Sequence, residues 1–271
     1  MKARSGNTPV ITIESLQRKY NLPKLYVKDE SRNPFGTFKD RRSEDIIERS
    51  LQKKIHTLVL ITAGNAGYSL ANYAKNTKLK VVCIVDKKIS SLILAKLTST
   101  SAIVIRLDLS KQRLTSDQLI KMARITSNEK IWDVTNGWEQ SYEAIIKEIA
   151  RLKPKYIVTP VGSGESFVGL YNGIKKFKLI STLIGITSGK HPSIADKLNA
   201  GWTPYSDKLR MITKENHSLI KLPEADIRRS YTLAKQYLTC EPSSALVFGV
   251  LDRPIFKNQD TVVIINSGRT K

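Results

Sequence analysis

Short apolar segments with strand character alternate with longer helix-like segments along this chain of 271 residues. The strand candidates occupy residues 57–62, 80–85, 102–107, 156–160, 182–187 and 261–265. Consecutive strands joined through a helix run in the same direction, so this order predicts parallel sheets covered by helices. The expected fold class is therefore α/β.

Composition narrows the classes of protein to consider. A hydrophobic content of 41% is enough for one large domain or two small ones. The two cysteines, Cys83 and Cys240, are too few for a disulfide framework and have no metal-ligand partners at a recognisable spacing, so no metal site is expected. The amino terminus has no apolar signal stretch and no run approaches transmembrane length, which predicts a cytoplasmic protein without a membrane partner.

The chain is strongly basic. Its 45 Lys and Arg residues exceed its 24 Asp and Glu residues and give a net charge of +21, which attracts anions. Because the basic residues are spread over nearly every helix-like segment, without an arginine-rich tail or a zinc finger, most are expected to be solvated. We expect a small anionic substrate as the partner, with nucleic acid only as a nonspecific contact.

Lys39 lies at a junction between a strand-like and a helix-like segment. Residues 25–28 are strand-like, a turn containing Pro34 and Gly36 follows, and a charged helix-like stretch begins immediately after it. Folds of the α/β class place their chemistry at such junctions. By itself Lys39 could equally be one of the many solvated surface lysines.

Two further junctions have residues suited to binding. After the strand candidate at 57–61, residues 62–67 read Thr-Ala-Gly-Asn-Ala-Gly, in which Asn65 could simply cap the next helix. After the strand candidate at 156–159 comes the sequence Pro-Val-Gly-Ser-Gly-Glu-Ser. Its glycines allow the backbone to approach a phosphate, whose charge a helix N-terminus favours, although such a turn can also be a plain connector.

The last strand candidate leads to Ser267, which taken alone could be an ordinary turn serine. The four segments in this order resemble fold-type II pyridoxal phosphate (PLP) enzymes, the family that includes threonine synthase, the threonine and serine dehydratases and cysteine synthase. The resemblance covers nearly the whole chain, because residues 7–9, 85–91 and 240–245 also resemble family motifs: the amino-terminal entry, a loop of the small domain and a helix start.

This resemblance implies a role for each segment in binding PLP. The amine of Lys39 would bond to the PLP aldehyde and then act as the catalytic base and acid. Asn65 would bond the phenolic O3′ of PLP. The PLP phosphate would be held by the glycine-loop residues Gly162, Ser163, Gly164, Glu165 and Ser166. Ser267 would bond the pyridine nitrogen, and its neutral hydroxyl suits elimination or replacement reactions over transamination.

The same resemblance implies where the substrate binds and how the domains are arranged. The substrate carboxylate would be held by residues of the asparagine loop, which are Thr62, Ala63, Gly64, Asn65 and Ala66. A small domain at 45–138 would be inserted into a large domain formed by 1–44 and 139–271. Each domain would have a mainly parallel, twisted sheet flanked by helices, with PLP in the cleft between them and a homodimer as the expected assembly.

The reaction is less constrained than the cofactor. Phe38 before Lys39, the asparagine loop and the spacing of the glycine loop most resemble threonine synthase, a PLP-dependent lyase that converts O-phosphohomoserine and water to threonine and phosphate. Three departures concern the substrate site: residues 136–143 contain no Arg, Ala63 replaces a hydroxyl residue, and Glu165 brings a carboxylate to the phosphate loop. Such a carboxylate must point away or meet a cation, and we expect a cation.

Two other functions therefore remain open. The first is β-replacement or β-elimination, as in cysteine synthase, phosphoserine sulfhydrylase or serine and threonine dehydratases. The second is a PLP-binding or cofactor-free homologue that has lost catalysis and acts as a binding protein. The signs of the second would be the altered loops and a chain that looks short for the family.

Overall fold

The computed structural model describes residues 4–110, 113–124, 129–189, 193–198 and 202–269. Within these residues the strands are β1 (Val10–Ile11), β2 (Leu25–Asp29), β3 (Thr57–Ile61), β4 (Lys80–Asp86), β5 (Ile103–Leu107), β6 (Ile131–Asp133), β7 (Tyr156–Pro160), β8 (Thr182–Ser188), β9 (Ser218–Leu222) and β10 (Val262–Asn266). The α-helices are α1 (Glu14–Tyr20), α2 (Lys39–Gln52), α3 (Asn65–Ala74), α4 (Ser91–Thr98), α5 (Ser116–Ala123), α6 (Glu143–Ile149), α7 (Glu165–Lys176), α8 (Ser206–Lys214), α9 (Glu224–Ala234) and α10 (Pro242–Ala245). Short 3-10 helices lie at Glu30–Arg32, Glu139–Tyr142, Ala150–Leu152, Asp196–Leu198 and Leu246–Val250. None of the described helices is long and apolar enough to cross a membrane.

The predicted α/β class is confirmed, and each of the six strand candidates forms a strand whose ends lie within one residue of the predicted ones. The sequence reasoning did not find β1, β6 and β9. Each of these lies at the edge of its sheet, where only one neighbour pairs with it. The first two have only two and three residues, too few to show a pattern, and β9 mixes partly buried and exposed positions.

Contacts divide the chain into two compact units. Unit 1 comprises Met1–Ser5 and Lys39–Gly137, and unit 2 comprises Gly6–Phe38 and Trp138–Lys271. The predicted small domain started at residue 45, whereas the contacts place the start at Lys39, because α2 is one continuous helix that packs against α3.

Arg4 and Ser5 also belong to unit 1, whereas residues 1–44 were expected in the large domain. The backbone N–H and the hydroxyl of Ser5 both donate to the Glu44 carboxylate, at 2.8 and 2.6 Å. These two bonds tie the amino-terminal segment to α2.

Unit 2 is built on a six-stranded sheet in the order β1-β2-β10-β7-β8-β9, in which β1 is antiparallel to β2 and the other pairs are parallel. Its central strand β10 is buried along its whole length. Val262 and Ile264 belong to one apolar cluster and Val263 and Ile265 to another, as the two-residue period of a strand requires when both faces are covered. The carboxyl ends of β2, β10 and β7 meet at one edge of the sheet, where α/β folds bind ligands.

Unit 1 has a four-stranded parallel sheet in the order β5-β4-β3-β6. Val59 of β3 and Val82 and Ile84 of β4 form its core together with Leu119 and Ala123 of α5. The asparagine loop follows β3 and leads directly into α3. It therefore lies at the carboxyl edge of this second sheet.

Candidate functional site

Ser267 follows β10, and its backbone is held on both sides. Its N–H donates to Ser244 Oγ at 2.7 Å, and its carbonyl accepts from the Phe38 N–H at 2.9 Å. The residue is only 4% exposed, yet its hydroxyl makes no hydrogen bond to any described residue. A nearly buried hydroxyl without a partner among the described residues is suited to a ligand atom, because buried polar groups are usually hydrogen-bonded.

The backbone that leads to Lys39 is anchored at the end of β10. Gly36, which has a φ of +85°, accepts the Arg269 N–H at 3.0 Å, and Thr37 forms a bridge with Gly268. Lys39 is the residue after Phe38 and the first residue of α2, and it is partly buried. The predicted strand-to-helix junction is therefore present, with a short turn before the lysine.

The glycine loop, residues 162–164, joins β7 to α7. Gly164 has a φ of +93°, which favours glycine. The backbone N–H groups of Gly162, Ser163 and Gly164 make no hydrogen bonds to described residues. Together with the N-terminus of α7, where Ser166 is the second residue, these unused donors can bind an anion.

Two segments that follow β8 pack against the glycine loop. The Thr203 hydroxyl donates to the Ser163 carbonyl, and a Cβ on Gly164 would lie 2.9 Å from Leu209 Cδ1. A Cβ on Gly162 would lie 3.4 Å from the Lys197 carbonyl oxygen and from Leu198 Cα. Within the described residues, the Ser163 carbonyl is thus hydrogen-bonded, whereas the N–H groups of the loop remain available to bind a ligand.

Glu165 is 1% exposed, and its carboxylate is directed into unit 2. It accepts hydrogen bonds from the Trp138 N–H at 3.3 Å, the Tyr142 hydroxyl at 3.4 Å and the Tyr205 hydroxyl at 3.5 Å. These three donors are neutral. These contacts hold the carboxylate beside Trp138, Tyr142 and Tyr205, and the expected pairing with a Lys or Arg stays a prediction.

The asparagine loop of unit 1 is shaped by Thr62, whose hydroxyl accepts the N–H groups of Gly64 and Gly67 at 3.0 and 3.1 Å. Gly64 has a φ of +130° and caps α3, so Asn65 is the first helical residue and not the cap. Ala63 is exposed, while Asn65 and Ala66 are partly buried. The Thr62 hydroxyl acts as an acceptor in both of these bonds, so its O–H can still donate to an anion.

Sequence reasoning missed the residues that hold Ser267. Ser244 is fully buried, and its hydroxyl accepts the N–H groups of Ser267 and Gly268 and donates to Asn266 Oδ1 at 2.6 Å. Asn266 in turn donates to Asp29 Oδ1 at 2.8 Å. The available signal was the motif at 240–245, which was interpreted only as a helix start.

A buried ion pair near the start of the chain was also missed. Lys28 is 1% exposed, and its ammonium contacts Glu148 Oε2 and the Thr8 carbonyl, both at 2.5 Å. The Thr8 hydroxyl donates to Glu30 at 2.6 Å. A lysine in a strand-like sequence is usually a surface residue, so the sequence gives no sign that Lys28 is buried. Its partner Glu148 is distant in the sequence and is recognised only in the structure.

These features of unit 2 fit PLP, which needs donors for its phosphate and a partner for its ring nitrogen. The glycine loop offers three unused backbone N–H groups, and Ser267 offers an uncommitted hydroxyl. A hydroxyl can donate to an unprotonated nitrogen. The fit rests on both observations together.

Comparisons with known proteins identify the family of the chain. The family model described as "Pyridoxal-phosphate dependent enzyme" matches residues 2–268. The chain is 28% identical to threonine synthase from Methanosarcina acetivorans over 185 residues, which are 65% of this chain and 45% of that protein. The matched region therefore spans less than half of this curated relative.

Solved structures show the same fold. Serine racemase from Dictyostelium discoideum superposes with a TM-score of 0.80 at 22% identity, covering 98% of this chain and 93% of that one. The O-acetylserine dependent cystathionine β-synthase from Helicobacter pylori gives 0.77 at 22% identity, covering 97% and 93%. At these identities the likeness describes the fold alone. With the family model matched over almost the entire chain, this protein belongs to the pyridoxal-phosphate dependent enzyme family, of fold type II, with pyridoxal 5′-phosphate as its cofactor.

Proposed function

We propose that this protein is a PLP-dependent lyase similar to threonine synthase, which converts O-phosphohomoserine and water to threonine and phosphate. The observation that carries the reaction class is the uncommitted hydroxyl of Ser267, because a neutral partner at the ring nitrogen suits elimination and replacement. The choice within that class is supported by the threonine synthase relative.

Bound PLP supplies an electron sink for negative charge at the substrate carbons. In this proposal the residues of the chain hold it and move protons. The N–H groups of Gly162, Ser163 and Gly164 bind its phosphate, with Glu165 and Ser166 opening the helix behind them. The hydroxyl of Ser267 donates to the ring nitrogen, and Asn65 orients the ring through O3′.

Lys39 is the proposed proton carrier. Its amine can accept and return protons at the reacting carbons when it is not bonded to the cofactor. The backbone of residues 62–66, at the start of α3, is the proposed site for the substrate carboxylate. A helix N-terminus favours an anion there.

A second candidate, β-replacement or β-elimination on a substrate without a phosphate, is favoured by residues 138–142. This segment contains no Arg, and its Trp138 N–H and Tyr142 hydroxyl are used by Glu165. Glu139 pairs with Lys208 at 3.1 Å. The segment therefore packs against α7. The Trp138 N–H and the Tyr142 hydroxyl donate to Glu165 and are not available to bind a substrate phosphate.

Product identification with purified PLP-loaded protein tests the proposal. The substrates are O-phosphohomoserine, phosphoserine with sulfide, O-acetylserine with sulfide, threonine and serine, and Lys39→Ala provides the inactive control. We expect threonine and phosphate in equal amounts from O-phosphohomoserine. Turnover of only the serine derivatives would favour the second candidate, and no turnover on any substrate would favour a binding protein that has lost catalysis.

A further inference from the structure

The helix start at residues 241–245, here called the brace, contacts two separate parts of the candidate cofactor site in unit 2. On one side, Glu241 pairs with the ammonium of Lys197, and the Ser243 hydroxyl accepts the Lys197 N–H at 3.3 Å. On the other side, the Glu241 N–H donates to the Gly268 carbonyl at 3.1 Å, next to Ser267. The brace therefore connects residues that are far apart in the sequence.

Lys197 belongs to the cover segment, residues 193–198, which lies against the glycine loop. Its carbonyl oxygen and Leu198 Cα would be 3.4 Å from a Cβ on Gly162, which is ordinary van der Waals contact. Ala195 is fully buried in the core that also contains Ala245 of the brace. The cover segment thus forms one wall beside the loop that is proposed to hold the phosphate.

The ion pair between Lys197 and Glu241 is largely removed from water. The Lys197 side chain is 16% exposed and the Glu241 side chain is 4% exposed. Either charge would remain desolvated if the other were lost, so such a pair resists separation. Asp196, beside Lys197, has a pKa raised by burial and by Glu241, with Lys197 acting in the opposite direction.

We propose that Lys197 and Glu241 are positioning residues whose ion pair holds the cover segment against the glycine loop and so slows the release of a phosphate bound there. The proposal rests on the role of the glycine loop given under the proposed function, and it does not depend on which substrate is used. Truncating one member of a buried ion pair acts mainly on dissociation.

A second ion pair in unit 2, whose lysine side chain is 51% exposed, provides a control at the opposite edge of the sheet. Lys155 contacts the nearly buried Asp260 at 2.7 Å, just before the first residues of β7 and β10. This pair joins the amino ends of two parallel strands, whereas the glycine loop and Ser267 lie at their carboxyl ends. Removing it should affect stability without reaching the phosphate site.

The test measures the release of PLP and of pyridoxal, which lacks the phosphate, from Lys197→Met, Glu241→Gln, Lys155→Met and wild-type protein. We expect PLP to leave both Lys197→Met and Glu241→Gln about tenfold faster than wild type, and pyridoxal to leave at an unchanged rate. Lys155→Met should release both within about twofold of wild type. Lys197→Arg should restore slow release, because the charge is kept.

Faster release of PLP and pyridoxal alike would overturn the proposal, since the pair would then act on stability and not on the phosphate. Glu241→Gln keeps the shape of the side chain and serves as the test variant if Lys197→Met does not fold. Release of PLP from Glu241→Gln at the wild-type rate would also overturn the proposal. If wild-type protein makes no threonine while the release rates follow the expected pattern, the proposed reaction is wrong and the positioning role stands.

Discussion

The asparagine loop of unit 1 and the glycine loop of unit 2 are both strand-to-helix turns, but they use their backbone donors differently. In the asparagine loop, two N–H groups are bonded by the hydroxyl of Thr62. In the glycine loop, the N–H groups of Gly162, Ser163 and Gly164 make no hydrogen bond within the described chain. The first loop is therefore shaped in advance by its own side chain, whereas the second keeps donors available for an anion.

The largest expected effect concerns Lys39, which lies in neither loop. Lys39→Ala should lower turnover at least about a thousandfold, because the amine is the proposed proton carrier. Borohydride reduction of wild-type protein with PLP, followed by peptide mass mapping, should find the pyridoxyl group on Lys39. A label on another lysine would show that neither loop has been assigned to the right site.

Ser267 tests whether the carboxyl edge of unit 2 holds the cofactor ring. Ser267→Asp should keep some PLP but lose about tenfold or more in turnover, since a carboxylate stabilises a protonated ring nitrogen. Ser267→Ala should be milder and should change the free energy of unfolding by less than about 0.5 kcal/mol, because within the described part of the chain the hydroxyl has no partner to leave unpaired. Wild-type rates for the Asp variant on a turned-over substrate would mean that Ser267 does not face the ring.

The glycine loop can be tested by comparing PLP with pyridoxal. Gly164→Val should weaken PLP binding about tenfold or more while leaving pyridoxal binding nearly unchanged, and Ser163→Ala should alter neither, because backbone groups hold the phosphate. Gly164→Val should also cost about 1–3 kcal/mol of stability, owing to the positive φ and the contact with Leu209. Equal losses for PLP and pyridoxal would place the phosphate elsewhere.

The smallest expected effect on cofactor binding concerns Thr62 in the asparagine loop. Thr62→Val keeps the shape of the side chain but leaves the N–H groups of Gly64 and Gly67 without their acceptor, at a cost of about 1–3 kcal/mol in the free energy of unfolding. The ratio of PLP to pyridoxal affinity should not change. Thr98→Val, an exposed threonine of α4 in the same unit, serves as the control and should stay within about 0.5 kcal/mol of wild type.

Much of the fold could be predicted because the apolar pattern of each short segment indicates whether it forms a strand or a helix. The strands β3, β4 and β7 were found since buried parallel strands are continuous apolar runs. The strands β6 and β9 were not, because β6 has only three residues and β9 mixes polar and apolar positions. The start of unit 1 at Lys39 also escaped, since only the packing of α2 on α3 reveals it.

The sequence by itself determined the order of strand, loop and helix, and it placed Lys39, Asn65, the glycine loop and Ser267 at junctions. These features depend on near neighbours in the chain, through side-chain periodicity and the conformational freedom of glycine. Tertiary structure alone decided that Glu165 is bonded by Trp138, Tyr142 and Tyr205, and that Glu241 pairs with Lys197. Such partners are distant in sequence and are selected by packing, because a buried charge is stable only where the fold supplies its partner.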